Sequence, residues 1–345
     1  MANSRRILLS FIVVTHNHEN CISRCLDSII SQEISIPYEI IVGDDNSQDN
    51  TWAIIASYKN SYPNLFTIYQ VNSDDCCPLT LSDRASYNRG HAYGMICGKY
   101  YAEVDGDDYL LPGNTYQKQV ELLEGHPECW LCMHNMSILK EGEPQTLAQK
   151  RFSSKQLDNF QIISADYYIL HPELFSQHQS FVFRRNIHES PIDMLGLDYE
   201  DTTVTLFHLQ YGSIIYLNQV GYQYIVYPSG INMLLRDDDR LVELSLLELK
   251  HILLFPKFTD LILKASLPKL IHLLKVNDER RLVLSSDIRK SFSKYNGFMF
   301  RYFEKEEHSL METCRIRLIR GLLLLMKRYA LISRPWLSLA LGIMY

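Results

Sequence analysis

Between residues 7 and 104 the chain alternates between short apolar, β-branched runs and helix-length stretches, and few architectures accept that order. The runs Ile7–Val14, Tyr38–Val42, Leu65–Val71 and Lys99–Val104 read as strands. Between them, Cys21–Gln32 reads as a helix with Ile22, Leu26, Ile29 and Ile30 inward, and Asp49–Tyr58 and Ala85–Cys97 as two more. Strand–helix–strand repetition predicts an α/β fold: a mostly parallel, Rossmann-like central sheet with helices on both faces. In open sheets of this kind ligands bind beyond the carboxyl ends of the strands. That rule singles out Thr15–Asn17, Gly43–Ser47 and Asp105–Asp108.

The last of these is the most demanding. Asp105, Asp107 and Asp108 fall within four residues, with Gly106 between the first two. Carboxylates so close repel unless they are protonated or bridged by a cation. Hard oxygen donors favour Mg²⁺ or Mn²⁺, which keep water and complete their shells with phosphate oxygens. A solvated Asp-Gly turn is the other reading of the residues. Asp44 and Asp45 form a second acidic turn, where Asp and Asn can close Asx-turns and Asp49 can cap the next helix. A carboxylate there can also accept from a base N–H or a ribose hydroxyl.

Further along, the pattern is mixed. Cys129–Leu139 reads as a strand, 141–165 as a polar loop, and Phe181–Phe183 as a short strand. Glu200–Gln210 reads as a helix stopped by Gly212, and Ser213–Leu217 and Val220–Val226 as strands. From about residue 238 the pattern turns helical, punctuated by Pro256 and Pro268. This divides the chain into a catalytic domain, 1–235, and an all-helical extension, 236–345.

Charge and cysteine content narrow the class. A net charge of −6 argues against nucleic acid as a partner. Eight irregularly spaced cysteines do not make a disulfide framework, and Cys129 and Cys132 form a CxxC with no second pair. The run after Arg5 and Arg6 is too short for a signal peptide with a cleavage site. No stretch reaches the roughly 18 apolar residues that span a bilayer. The expected location is cytoplasmic, free or peripheral on the inner face of the plasma membrane. The peripheral option comes from 314–345, which holds six basic residues (Arg315, Arg317, Arg320, Lys327, Arg328 and Arg334) and no acidic one. On a helix Arg317, Arg320, Lys327 and Arg328 share a face opposite Ile319, Leu322, Leu323 and Met326. Such a helix, with Trp336 as an interfacial anchor, can lie on an anionic membrane, or it can pack on its own domain or a second subunit.

Taken together, the motifs are recognisable. Phe11–Asn17, Tyr38–Thr51 and Gly98–Tyr109, followed by Lys118–Glu124 and Cys132–Asn135, occur in order and at the spacing of the inverting family 2 glycosyltransferases. The chain resembles the bacterial polysaccharide-type subgroup of that family, which has the GT-A fold, over about residues 7–230. The resemblance implies a nucleotide-sugar donor, most often a UDP-sugar, and a hydroxyl of a glycan or lipid-linked glycan as acceptor. It implies that Asp45 contacts uracil or ribose, that Thr15, Asn17 and Asn88 border the donor, and that Asp105-Gly106-Asp107 is the DxD motif. Asp107 would then be the direct ligand of Mn²⁺ or Mg²⁺, Asp105 an indirect one, and Asp108 a support.

The family's base is an acid at the start of a late helix, and Asp201 fits, with Asp198 and Glu200 as alternatives. From the residues alone, Asp201 reads first as the N3 acid of a capping box with Asp198, and the resemblance turns the reading toward the base. His134, Arg185 and Glu200 fall on the acceptor or donor-sugar side, with Arg185 able to reach the diphosphate. One departure is plain: where the subgroup has Tyr-Arg-x-His, this chain has Tyr224 to Tyr227 with neither Arg nor His. Two other functions share parts of this pattern. A nucleotidyltransferase acting on a sugar phosphate would release pyrophosphate, and a non-catalytic sugar-nucleotide-binding module would release nothing.

Overall fold

The computed structural model describes residues 7–72, 81–140, 144–147, 159–171, 178–188, 201–226, 247–248, 251–252 and 254–266. The chain divides into two compact units, Met1–Ile231 and Asn232–Tyr345.

In the first unit the alternation read from the sequence is present. Strand β1 (Leu9–Thr15) is buried at every residue, which is why its apolar run is continuous and not alternating. Helix α1 (Ile22–Ile30) buries Ile22, Cys25, Leu26 and Ile29, the spacing of a single helical face. Then come β2 (Tyr38–Asp45), α2 (Thr51–Ser61), β3 (Phe66–Val71), α3 (Leu81–Tyr93) and β4 (Tyr100–Asp105). Strands β3, β2, β1 and β4 lie side by side in that order, all parallel. The chain order reverses between β1 and β4, so their carboxyl ends open the crevice where ligands bind in such sheets.

The sheet continues with a different grain. After β5 (Tyr109–Leu110) and α4 (Thr115–Gly125) come β6 (Cys129–Lys140), β7 (Thr146–Leu147), β8 (Phe160–Ile163), α5 (Ala165–Leu170), a 3₁₀ turn (His178–Ser180), β9 (Phe181–Arg184), α6 (Asp201–Leu209) and β10 (Ser213–Val226). Strand β9 runs antiparallel to both β4 and β6, standing between them. Because it opposes β4, its first residues lie at the end of β4 that carries the aspartates.

Two readings of the sequence are corrected here. The polar stretch 141–165 contains β7 and β8, which pair at the margins of β6 and β10. The two strands expected after Gly212 are one strand, β10, whose pairing with β6 shifts register between Leu217 and Val220. A bulge there bends the strand without ending it.

In the second unit, the described residues include a 3₁₀ turn (Pro256–Phe258) and a helix over 259–266. Phe255, Phe258 and Ile262 are buried there. The basic segment 314–345 lies outside the described residues. No helix among the described residues is long and apolar enough to cross a membrane.

Candidate active site

The turn after β4 is built by close backbone approach. The Gly106 N–H donates to the Val14 carbonyl at 3.0 Å, and Asp108 N–H to the Asp105 carbonyl at 3.0 Å. A Cβ on Gly106 would stand 2.9 Å from Thr15 Oγ1 and 3.0 Å from His18 Nδ1. Only glycine lets β1 and the aspartate turn come so near.

The three aspartates meet different surroundings. Asp105 accepts from Arg89 of α3 and from the Gln179 side chain, one on each carboxylate oxygen. Asp107 is partly exposed; burial and then Asp105 raise its pKa, as two neighbouring carboxylates should. Asp108 is 3% exposed and accepts from the Tyr222 hydroxyl and, at 3.2 Å, from the Ile225 N–H. Burial above all, then Asp107 and Asp105, pushes its pKa up to about 8. Asp108 thereby ties the turn to β10. Asp107 and Asp105 supply hard oxygen donors whose mutual repulsion a divalent cation would relieve, so the donor set fits Mn²⁺ or Mg²⁺. Among the described residues no group of three or more His, Cys, Asp or Glu gathers at metal-ligand spacing. Such an ion would complete its shell with phosphate and water.

At the ends of β1 and β2 the polar side chains sort into braces and open groups. Asp44, fully buried, accepts from the Ser47 N–H at 3.1 Å and from Gln70 at 3.0 Å, closing an Asx-turn. Asp45 accepts from Arg84 Nε of α3 at 2.9 Å. Asn17, in the left-handed region at φ 55°, accepts from the Gln48 N–H at 2.8 Å, and its own N–H donates to Ser47 Oγ at 2.8 Å. It thus laces one strand end to the next. Asn88 is 1% exposed and donates to the Gly43 carbonyl at 2.9 Å, clamping α3 against β2. Thr15 is 4% exposed, and its Oγ1 has no hydrogen-bond partner.

Asp201 begins α6, ninety-six residues beyond Asp105, and both belong to one electrostatic group. Half of its side-chain surface is open. Protein crowds its other sides, so lost hydration raises its pKa, Asp105 and Glu103 add to this, and His178 and Arg89 pull the other way. Behind it lies a buried chain of charge. His178 Nδ1 stands 3.8 Å from Asp201 Oδ1 and 3.2 Å from Glu103 Oε2. Arg89 Nε is 3.3 Å from the same Glu103 oxygen, and Arg89 also holds Asp105. Burial works against the charged His178, but Glu103 and Asp201 outweigh it and the pKa lies above the ordinary value.

Reading the sequence missed Arg84, Arg89, Glu103 and His178. Glu103 carried a signal, being an acid inside the apolar run of β4 that needs a buried partner. The other three sit on α3 or just before β9, and only the topology brings them in.

Arg185 is corrected. Its N–H pairs with the Lys99 carbonyl at the start of β4, six residues from Asp105, or about 20 Å of strand. That is the wrong end of the sheet for a diphosphate, and Gln179, just before the opposite end of β9, is the residue that reaches Asp105. His134 is fully buried; its Nδ1 donates to the Asn135 carbonyl at 2.7 Å, and burial drives its pKa down to about 4. Asp198, Glu200 and Tyr227 lie outside the described residues.

Comparison with known proteins bears on this arrangement. The family model described as glycosyl transferase family 2 matches residues 10–190, which is more than half of the chain. A poly(ribitol-phosphate) beta-glucosyltransferase of Bacillus spizizenii is 35% identical over 104 residues, 30% of this chain and 15% of that protein. The GalNAc(5)-diNAcBac-PP-undecaprenol beta-1,3-glucosyltransferase of Campylobacter jejuni is 26% identical over 182 residues, 53% of each chain. The chain spans 36% of the length of the mycobacterial relatives that it also matches. Among solved structures, residues 1–349 of TarS from S. aureus in complex with UDP align with a TM-score of 0.51. The identity is 18%, covering 98% of this chain and 87% of that one, a likeness of fold.

Proposed function

The chain belongs to glycosyl transferase family 2, and from that premise we propose that it is an inverting, metal-dependent hexosyltransferase. It moves a sugar from a nucleotide-sugar donor, a UDP-sugar, to a hydroxyl of a glycan or lipid-linked glycan. The observation that carries this reading is the meeting of Asp201 with the Asp105–Asp107 turn through the buried chain His178–Glu103–Arg89. The relatives named as glucosyltransferases of a ribitol-phosphate polymer and of an undecaprenol-linked glycan support the class of acceptor. The UDP held by TarS supports the class of donor.

The residues divide the work. Asp45, backed by Arg84, presents an acceptor oxygen to a base N–H or ribose hydroxyl. Thr15, with its unpartnered buried hydroxyl, and Asn17 shape the floor beside it. Asp107 would hold Mn²⁺ or Mg²⁺, with Asp105 kept back by Arg89 and Gln179. When bound, the ion supplies Lewis-acid stabilisation of the charge that develops on the diphosphate. Asp201 accepts the proton of the attacking hydroxyl. A single displacement from the opposite face turns an α-linked donor into a β-linked product. The cytoplasmic face of an anionic membrane is the expected setting, with segment 314–345 as the contact.

Replacing the base tests the reading. Asp201→Asn should lower UDP release from a UDP-sugar by roughly 10²–10⁴, the usual worth of a positioned base, and leave UDP affinity near wild type. Wild-type turnover in that variant would remove Asp201 from the mechanism. Release of pyrophosphate from a nucleoside triphosphate would point instead to nucleotidyl transfer.

A further inference from the structure

From the placement of the 3₁₀ turn before β9, we infer that His178, anchored by Glu103, is a positioning residue that holds the Asp201 carboxylate toward the cleft. The inference rests on the reading of Asp201 as the base and adds what keeps that base in place.

Asp201 is poorly constrained by its own element. It is the first residue of α6, its side chain is half open, and the helix holds it through its carbonyl, which accepts from Thr205 Oγ1 at 2.9 Å. A carboxylate so placed has free rotation unless something fixes it from outside. Among the described residues, His178 is the ionisable side chain at ion-pair distance, 3.8 Å from Oδ1. It is itself well fixed. Only 1% of its side-chain surface is exposed, and its ring packs on Phe183 with centroids 4.6 Å apart. Glu103 holds the same Nδ1 at 3.2 Å. Glu103 in turn is fixed by Arg89 at 3.3 Å.

The brace therefore runs from the rigid strand β4, through an immobile imidazole, to a helix terminus facing the cleft. The charged groups around His178 are Glu103 and Asp105 of β4, Asp201 of α6 and Arg89 of α3, with the buried His208 of α6 nearby. The neighbouring Gln179 reaches Asp105, so consecutive residues of one turn touch both the DxD side and the base side. An imidazole that contributed only to packing would not need to stand between two carboxylates.

A double-mutant cycle on the full chain loaded with Mn²⁺ tests the brace. Turnover is read as UDP release from a panel of nucleoside diphosphate sugars, with UDP affinity measured separately. His178→Gln should lower kcat about 10- to 100-fold, the cost of a misplaced catalytic group, and leave UDP affinity within about twofold. Added to Asp201→Asn, it should leave the residual turnover unchanged, since there is no base left to position. A kcat at the wild-type level in H178Q, or effects of the two substitutions that multiply, overturns the inference. A fall in UDP affinity as large as the fall in kcat/KM does the same.

If H178Q does not fold, Glu103→Gln is measured in its place. It keeps the shape of the site and removes the anchor, so a wild-type kcat there also overturns the inference. Failure of the underlying reading looks different: D201N then keeps its turnover, or the wild type releases UDP from no donor.

Discussion

Gly106 shows how much one missing side chain arranges. A Cβ at this position would meet Thr15 and His18 at about 3 Å, closer than unbonded atoms ordinarily stand. Gly106→Ala should push the aspartate turn away from β1 and weaken UDP affinity about tenfold, or about 1.4 kcal/mol, at the low end of the cost of an overpacked site. Isothermal titration with UDP and Mn²⁺ measures this, and unchanged affinity would mean the turn is free to shift. The same scale explains what could be read in advance. Asp105, Asp107 and Asp201 stood out through the order and spacing of the motifs around them, since an acid at a strand end also reads as a turn and one at a helix start as a cap. His178 and Arg89 did not, since one histidine before a strand and one arginine on a helix have many. Their meaning depends on Glu103, which they reach across 75 and 14 residues of chain.

At the level of elements, the sequence was legible wherever an element has one dominant cause. Strand β1 showed because burial on both faces makes it continuously apolar, and α1 because its inward residues repeat at helical spacing. Strands β7 and β8 stayed hidden because they are short margins, with Thr146 and Ile162 exposed. The bulge in β10 stayed hidden because its polar residues resemble a turn.

Junctions between elements are where stability can be probed. Asp49, just before α2, accepts from the Thr51 N–H at 3.0 Å and from the Glu19 N–H at 3.1 Å, capping the helix and tying it to the loop after β1. Asp49→Ala should cost about 1 kcal/mol of unfolding free energy, the worth of a helix cap. Urea unfolding reads this directly, and a change within a few tenths would show that water replaces the carboxylate.

For the molecule as a whole, buried histidines set the response to acid. His134 and His208 are both fully buried, with burial pulling their pKa values from 6.5 down to about 4 and about 3. His208 donates from Nδ1 to the Val204 carbonyl at 2.8 Å and accepts the Tyr101 hydroxyl at Nε2, 3.1 Å away, which fixes it neutral. The unfolded chain takes up protons below pH 6.5 and the folded chain does not. The stability these two histidines contribute is therefore full above that pH and is lost as the solution is acidified toward the folded values. Each contributes a slope of about 1.4 kcal/mol per pH unit, and Asp108, raised to about 8 in the folded chain, contributes the opposite slope over the same range, so the net fall is smaller than the histidine sum. Chemical unfolding between pH 7 and 4.5 measures it, and His208→Gln should flatten the curve.

Strand β9 has a consequence for how such a molecule can change over time. The parallel strands β3, β2, β1 and β4 pair with the β6–β10 strands through this one four-residue ribbon, by way of Tyr100–Arg184, Tyr101–Phe183 and Ala102–Val182 on one side and Leu131–Phe183, Cys132–Val182 and Met133–Phe181 on the other. A seam so narrow makes few demands for matched drift across it. The portion beyond it can be exchanged for another with little repair to the portion before it, so long as the contacts of Asp108 with Tyr222 and Ile225 are kept.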